Sequence, residues 1–381
     1  MFDTEVLNEI REAIRRKTKE DRQLLDSLRK EVQRLKGEAK TILPRSATAV
    51  SLVASDGGNN RLFFDPFMIQ FVRVVDSYGK EFCIDAVSPT TDTDELSSRQ
   101  FDKNGNPRTI LGQMMKDLGV SNLSQLSPMI PSGEKIRNDP DRVSPSWVLV
   151  YRDLCEWAVL YERICYQTFA SDTLIVRDGL LRSKIFAGEK FILWRKKIES
   201  AIEQIRLIDR RRVYLVGIAK KSKVLTRYNL ALALEEVMPL GDPYYVRVPR
   251  DMEAKAYVWP EYARGAEFEG EGEAPKFVAG DMYFVRFGTR TSDPIWTVDV
   301  FSSQSNYVSE IFGYLLADAV NGFPVPLYPR CLQAAHEYAQ VSGFDLDILQ
   351  DEIFDAVKDL LNINERWVLD QYRFYPGGGN I

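Results

Sequence analysis

A strand that lies on one wall of a protein alternates apolar and polar residues, but residues 48–56, TAVSLVASD, do not alternate. Small and β-branched side chains fall on both faces, the pattern of a central strand covered on both sides. This run ends at Asp56-Gly57-Gly58-Asn59, a turn signal. Residues 67–75 and 81–87 are two further strand-like runs, and three consecutive strands with short links predict an antiparallel meander. Residues 146–169 predict a long helix with Ser146 as its cap. A short apolar strand over 173–177 then ends at Asp178-Gly179, a helix covers 189–208, and a strand over 213–219 ends at Lys220-Lys221. Three strands, helix, strand, helix, strand is the succession of an RNase H-like α/β fold, a mixed sheet flanked by helices. The right-handed crossover rule sets the later strands parallel beside the first. Asp56 and Asp178 would then stand at the ends of neighbouring strands.

Residues 3–40 predict one long N-terminal helix, rich in Glu, Arg, Lys and Leu. Its stripe of Leu25, Leu28, Val32 and Leu35 needs a cover, either from its own domain or from a helix of a second subunit. Residues 88–145 are polar and predict long loops with a short helix near 109–118. The acidic stretch 266–275, AEFEGEGEAP, predicts a mobile loop. Strands are expected at 281–287 and 295–301, helices at 305–318, 328–341 and 345–361, and disorder over 375–381. The domain reading is an N-terminal helix 1–42, a main domain 43–342 with insertions at 88–145 and 266–275, and a C-terminal helix and tail 343–381. No apolar run approaches the roughly 20 residues of a membrane span, and no signal peptide is visible, so the expected location is the cytoplasm.

The chain has one histidine, His336, and four scattered cysteines without zinc-ligand spacing. A zinc site of several imidazoles is excluded within one chain, and the cysteines read as reduced core thiols. Acidic and basic side chains must carry most of any catalysis. Asp56 and Asp178 each end an apolar run and precede a glycine, so each is rigidly held yet open to water. A hard divalent cation needs oxygen ligands held in this way; the plain alternative is two ordinary Asp-Gly turns. The helix between them offers a third acid. Glu156 has Arg152 one turn earlier as a partner and is preferred; Glu162, about 120° around the helix, is the second choice. Net charge is −5, yet between Arg182 and Arg227 stand 14 Lys/Arg against four Asp/Glu. Such a block could track a phosphate backbone or be a solvated face.

Five stretches together resemble the ordered motifs of the NurA nucleases, in a bacterial-type form. They are Asp56-Gly57-Gly58, Arg152…Glu156, Asp178-Gly-Leu-Leu181, Gly217-Ile-Ala-Lys220-Lys-Ser222 and Tyr328-Pro329…Ala335-His336-Glu337. The match runs from about residue 48 to 342. The resemblance implies an RNase H-like deoxyribonuclease using Mn²⁺ or Mg²⁺, forming a homodimer and working with HerA, a hexameric ATPase that moves along DNA. On that reading Asp56, Glu156 and Asp178 hold one or two metal ions, Lys220 neutralises charge on the phosphate, and His336 ligates metal or protonates the leaving group. The chain departs from the family at Gly58, where a serine is usual, and at Leu180. Two other readings stay open: an inactive nuclease-fold subunit that binds DNA on such a motor, and a nucleotide phosphatase. Repair-linked end processing and defence against invading DNA both fit. Walker-type loops are absent, so the ATPase is not in this chain.

Overall fold

The computed structural model describes residues 3–46, 51–64, 67–263, 276–341 and 343–373. The expected acidic loop at 266–275, the tail at 375–381 and the start of the run at 48–50 lie outside the described residues. The chain forms two compact units that interleave in sequence. One comprises Met1–Arg45, Gly179–Arg182 and Val216–Asn321; the other comprises Ser46–Asp178, Ser183–Leu215 and Gly322–Ile381.

The second unit contains the predicted meander. Strands β2 (Ser51–Phe64), β3 (Phe67–Asp76) and β4 (Glu81–Val87) are antiparallel neighbours, with β1 (Lys40–Thr41) preceding them in sequence. Strand β5 (Thr173–Asp178) runs parallel beside β2, and the first residues of β6 (Val213–Ala219) follow beside β5. The order β4-β3-β2-β5-β6 is the one expected of an RNase H-like sheet. Leu174, Ile175 and Val176 are each at most 1% exposed, and such burial is worth about 1.5–3 kcal/mol per side chain. Helix Trp147–Tyr166 covers this sheet and packs on helix Lys190–Ile208. Trp157 and Trp194 meet edge to face with ring centroids 4.8 Å apart.

The first unit has the strand order β1-β7-β8-β9-β6, using the second half of β6 and strands β7 (Tyr244–Arg247), β8 (Gly280–Arg286) and β9 (Ile295–Phe301). Its strand pairs β1–β7, β7–β8, β8–β9 and β9–β6 are antiparallel. Val32 and Leu35 are buried here with Tyr228, Met252 and Phe284, and Leu28 packs against them. Leu28, Val32 and Leu35 of the stripe are thus covered by their own unit, the first of the two options above.

Several expectations are corrected. The N-terminal helix is two helices, Thr4–Glu20 and Arg22–Gln33, broken at Asp21, whose ψ is 0°. The second helix is steered by its packed stripe, whereas the first buries no residue among those described. In the region 88–145 the helix expected near 109–118 is present as Ile110–Asp117, and where loops were expected there are further short helices, Thr93–Ser98, Leu123–Leu126 and Gly133–Asn138. The polar residues that suggested loops are caps. Asp92, Thr109, Asn122 and Ser132 each accept a backbone N–H in the first turn. At the C-terminus the helices are Val308–Ala319, Arg330–Ala339 and Gly343–Leu360, and a fourth, Ile363–Arg373, was not expected. No helix among the described residues is long and apolar enough to cross a membrane.

Candidate metal centre

Strand β2 does not end at Asp56. It continues through Gly57 and Gly58 to Phe64, paired with β3 throughout, and Asp56 sits opposite Val75. The parallel ladder with β5 closes at Ser55 and Arg177, so the next residues, Asp56 and Asp178, lie side by side where β5 stops. Both are displayed on one face, because side chains on a strand alternate. Helix Arg330–Ala339 packs on β2 and brings His336 to the same place. Asp56, Asp178 and His336 offer ligand atoms that all lie within 4.8 Å of one another.

Asp56 is 8% exposed. Its Oδ1 accepts the Gly57 N–H, and its Oδ2 lies 2.6 Å from His336 Nδ1. Gln340 Nε2 lies 3.0 Å from His336 Nε2. The two contacts engage both ring nitrogens of His336, one toward Asp56 and the other toward Gln340. Burial, then the negative charge of Asp178, raises the Asp56 carboxyl above its ordinary range, while His336 and the Gly57 N–H pull it back down. Tyr328 is 0% exposed and its hydroxyl lies 3.4 Å from Asp178 Oδ1. Burial and the two carboxylates push its phenol far up, so it remains a neutral donor. Tyr328 belongs to the Tyr-Pro motif that begins the His336 helix, yet the sequence alone gave it no role.

Glu156 stands outside the three-residue cluster. A Cβ on Gly57 would lie 2.3 Å from Glu156 Oε1 and 3.0 Å from its Cγ. Gly57 faces away from the side to which Asp56 points, so Glu156 occupies the opposite face, in space only a glycine leaves. There Arg152 Nε lies 3.2 Å from Oε1 and Arg177 Nη2 lies 3.4 Å from Oε2. Arg177 also binds Asp153 at 2.8 Å and lies over the Trp157 ring at 4.3 Å. A buried arginine one residue before Asp178 carried no sequence signal beyond its alternation with Asp178. Glu162 is surrounded differently, with Asp117 and Lys80 as its charged neighbours. Lys220 is exposed just after β6, in the first unit.

The basic block is not one surface. Arg182 is buried against Asp299 and Glu253, Lys190 binds the Leu118 carbonyl at 2.8 Å, and Arg195 is 5% exposed. Lys196, Lys197, Arg210, Arg211, Lys220, Lys221 and Lys223 are exposed. The four cysteines are free thiols.

The Glu156 carboxyl is pushed up to about 8, by burial first, with Arg177 and Arg152 opposing and Asp153 and Asp56 adding. With the folded value above the ordinary one, the native state holds this proton while the unfolded chain releases it. Stability therefore falls as pH rises from about 4.5 to about 8. In metal-free protein, Glu156→Gln is expected to gain melting temperature on wild type steadily across this window and to hold a constant lead above it. A lead that stays flat between about pH 4.5 and 8 would show that the two arginines keep Glu156 ionised.

Two carboxylates and an imidazole converging from three elements make a donor set suited to a divalent cation. The mutual repulsion that raises Asp56 is the charge such an ion offsets.

No family model matches the chain, and no curated protein matches it. Among solved structures it is similar to the crystal structure of the NurA nuclease from Sulfolobus solfataricus, at 12% identity and a TM-score of 0.44, covering 95% of this chain and 99% of that one. A structure of NurA bound to dAMP and manganese covers 94% of this chain and 99% of its own at 14% identity, TM-score 0.40. A structure of NurA with manganese covers 92% and 99% at 15% identity, TM-score 0.39. These likenesses are distant, and the functional reading rests on the side chains of this chain.

Proposed function

We propose that the chain is a metal-dependent DNA nuclease of the NurA type. The observation that carries this reading is the convergence of Asp56, Asp178 and His336 within 4.8 Å. Asp56 and Asp178 would hold Mn²⁺ or Mg²⁺, with His336 as a third ligand through its ring or as the partner that orients Asp56. When bound, the cation supplies a Lewis acid at the phosphoryl oxygen and lowers the pKa of its water. The chain's own residues do the rest. Tyr328 donates toward Asp178 and fixes its rotamer. The His336 side chain is 49% exposed, so in its protonated form it can reach substrate and donate to a leaving oxygen. Glu156 sits behind Gly57 and supports the strand that carries Asp56. Lys220 and the exposed lysines and arginines would meet the phosphate backbone, so DNA affinity should fall steeply with salt. The sequence resemblance extends the reading to a homodimer acting with a HerA-type ATPase, in DNA end processing or defence.

The direct test is incubation of the purified chain with linear and circular single-stranded DNA, with Mn²⁺ or with EDTA. Cleavage with Mn²⁺ and none with EDTA is expected. DNA binding without cleavage under any divalent ion would make the chain an inactive nuclease-fold subunit, and release of phosphate from nucleotides alone would make it a phosphatase.

A further inference from the structure

The first unit contains a cavity of about 700 Å³, within the roughly 300–1,000 Å³ of small-molecule sites. Its wall includes none of the carboxylates of the candidate metal centre. Instead Arg34, Lys40, Arg247 and Arg250 line it, with Tyr245 and Tyr283 as an aromatic floor and Glu38 as the acidic residue of the lining. Arg34 pairs with Asp251, Arg247 with Asp281, and Arg250 with Asp281 and Glu253, so Lys40 is the cation of the lining without a carboxylate partner among the described residues.

Part of that charge is balanced from behind. Arg250 Nη2 donates to Asp281 at 2.6 Å and its Nη1 to Glu253 at 3.1 Å, so it is held in place with its charge balanced. Asp281 is 5% exposed and also accepts from Arg247 at 3.0 Å and from the Ser305 hydroxyl at 2.8 Å. Its charge is therefore used within the wall. Arg247 remains 59% exposed, and a guanidinium has five N–H donors, so most of its donors face the cavity side or water. Lys40, on the edge strand β1, is exposed and has no side-chain partner among the described residues. Tyr245 and Tyr283 have ring centroids 6.1 Å apart and are both held by Phe312. Cationic donors beside aromatic side chains are the combination that binds a phosphate and a base together.

We propose that this cavity binds a nucleotide, either free or as one unit of a single DNA strand, with Lys40 and Arg247 on its phosphate. The inference stands on the cavity's own walls, so failure of the metal centre to cut DNA would leave it intact. The test uses the full chain in EDTA, a 5′-fluorescein-labelled oligothymidylate read by anisotropy, and dAMP as competitor. Lys40 and Arg247 are exposed enough that Lys40→Gln/Arg247→Gln should fold, which the melting temperature checks. The double variant is expected to lose about tenfold in affinity, with a shallower salt dependence by about 1.4 for two lost single-strand phosphate contacts. Competition by dAMP that the variant also weakens identifies a free-nucleotide site; an effect on the oligonucleotide alone identifies a strand site. Wild-type affinity and salt slope in the variant, or no binding of either ligand by wild type, would overturn the proposal.

Discussion

Asp178→Asn is expected to lower Mn²⁺-dependent DNA cleavage by about three orders of magnitude while raising the stability of the metal-free protein. A bound cation contributes several kcal/mol of transition-state charge stabilisation, and each 1.36 kcal/mol is tenfold in rate. Asparagine keeps the shape of Asp178 and can still accept from Tyr328, so the loss reports the missing charge and not a collapsed site. The opposite sign for stability follows from the same carboxylates. Asp178 is the second-largest cause of the raised Asp56 carboxyl, after burial. Removing it lets Asp56 ionise at lower cost, so unfolding in EDTA should need more denaturant than wild type. Cleavage retained within tenfold would remove Asp178 from the chemistry. Lost cleavage with lost stability would mean that the substitution merely damaged the fold.

Arg182→Met is expected to destabilise the protein by about 3–5 kcal/mol, the usual consequence of stranding a buried charge. The Arg182 guanidinium grips Asp299 with two bonds of 2.7 Å and also reaches Glu253, and both carboxylates are 0% exposed. Methionine fills much of the volume but leaves Asp299 with the Leu181 N–H at 3.1 Å, while Arg250 still holds Glu253. The double substitution Arg182→Met/Asp299→Leu should recover part of the loss, because it removes the stranded charge with its partner. Denaturant unfolding reads both effects. A cost below about 1 kcal/mol for the single substitution, the range of an exposed pair, would show that water reaches the cluster.

Much of the second unit was legible because burial leaves a plain mark on sequence. Residues 51–56 and 173–177 lack apolar–polar alternation, which placed them in the middle of a sheet, and the order of elements with the right-handed crossover rule placed Asp56 and Asp178 on neighbouring strands. Asp56-Gly57-Gly58-Asn59 misled for a tertiary reason. Gly57 is a glycine because Glu156 fills the space its side chain would need, and the strand runs on. Helix caps in 88–145 looked like loop because Asp, Thr, Asn and Ser serve both. Strands β1 and β7, of two and four residues, are too short to show a period. The basic block looked like a surface because composition cannot tell an exposed lysine from Arg182, whose charge is spent internally. Tyr328 and Arg177 act through contacts across the chain, which no local pattern encodes.

Titration of the metal-free protein with Mn²⁺, followed by melting temperature in wild type and Asp178→Asn, bears most directly on whether these side chains hold a cation. A rise that sets in near the Kd and continues as the logarithm of Mn²⁺ concentration above it, present in wild type and abolished by the substitution, is the predicted result. Equal shifts in the two proteins, or no shift in either, would place any metal elsewhere and leave Asp56, Asp178 and His336 as a structural contact.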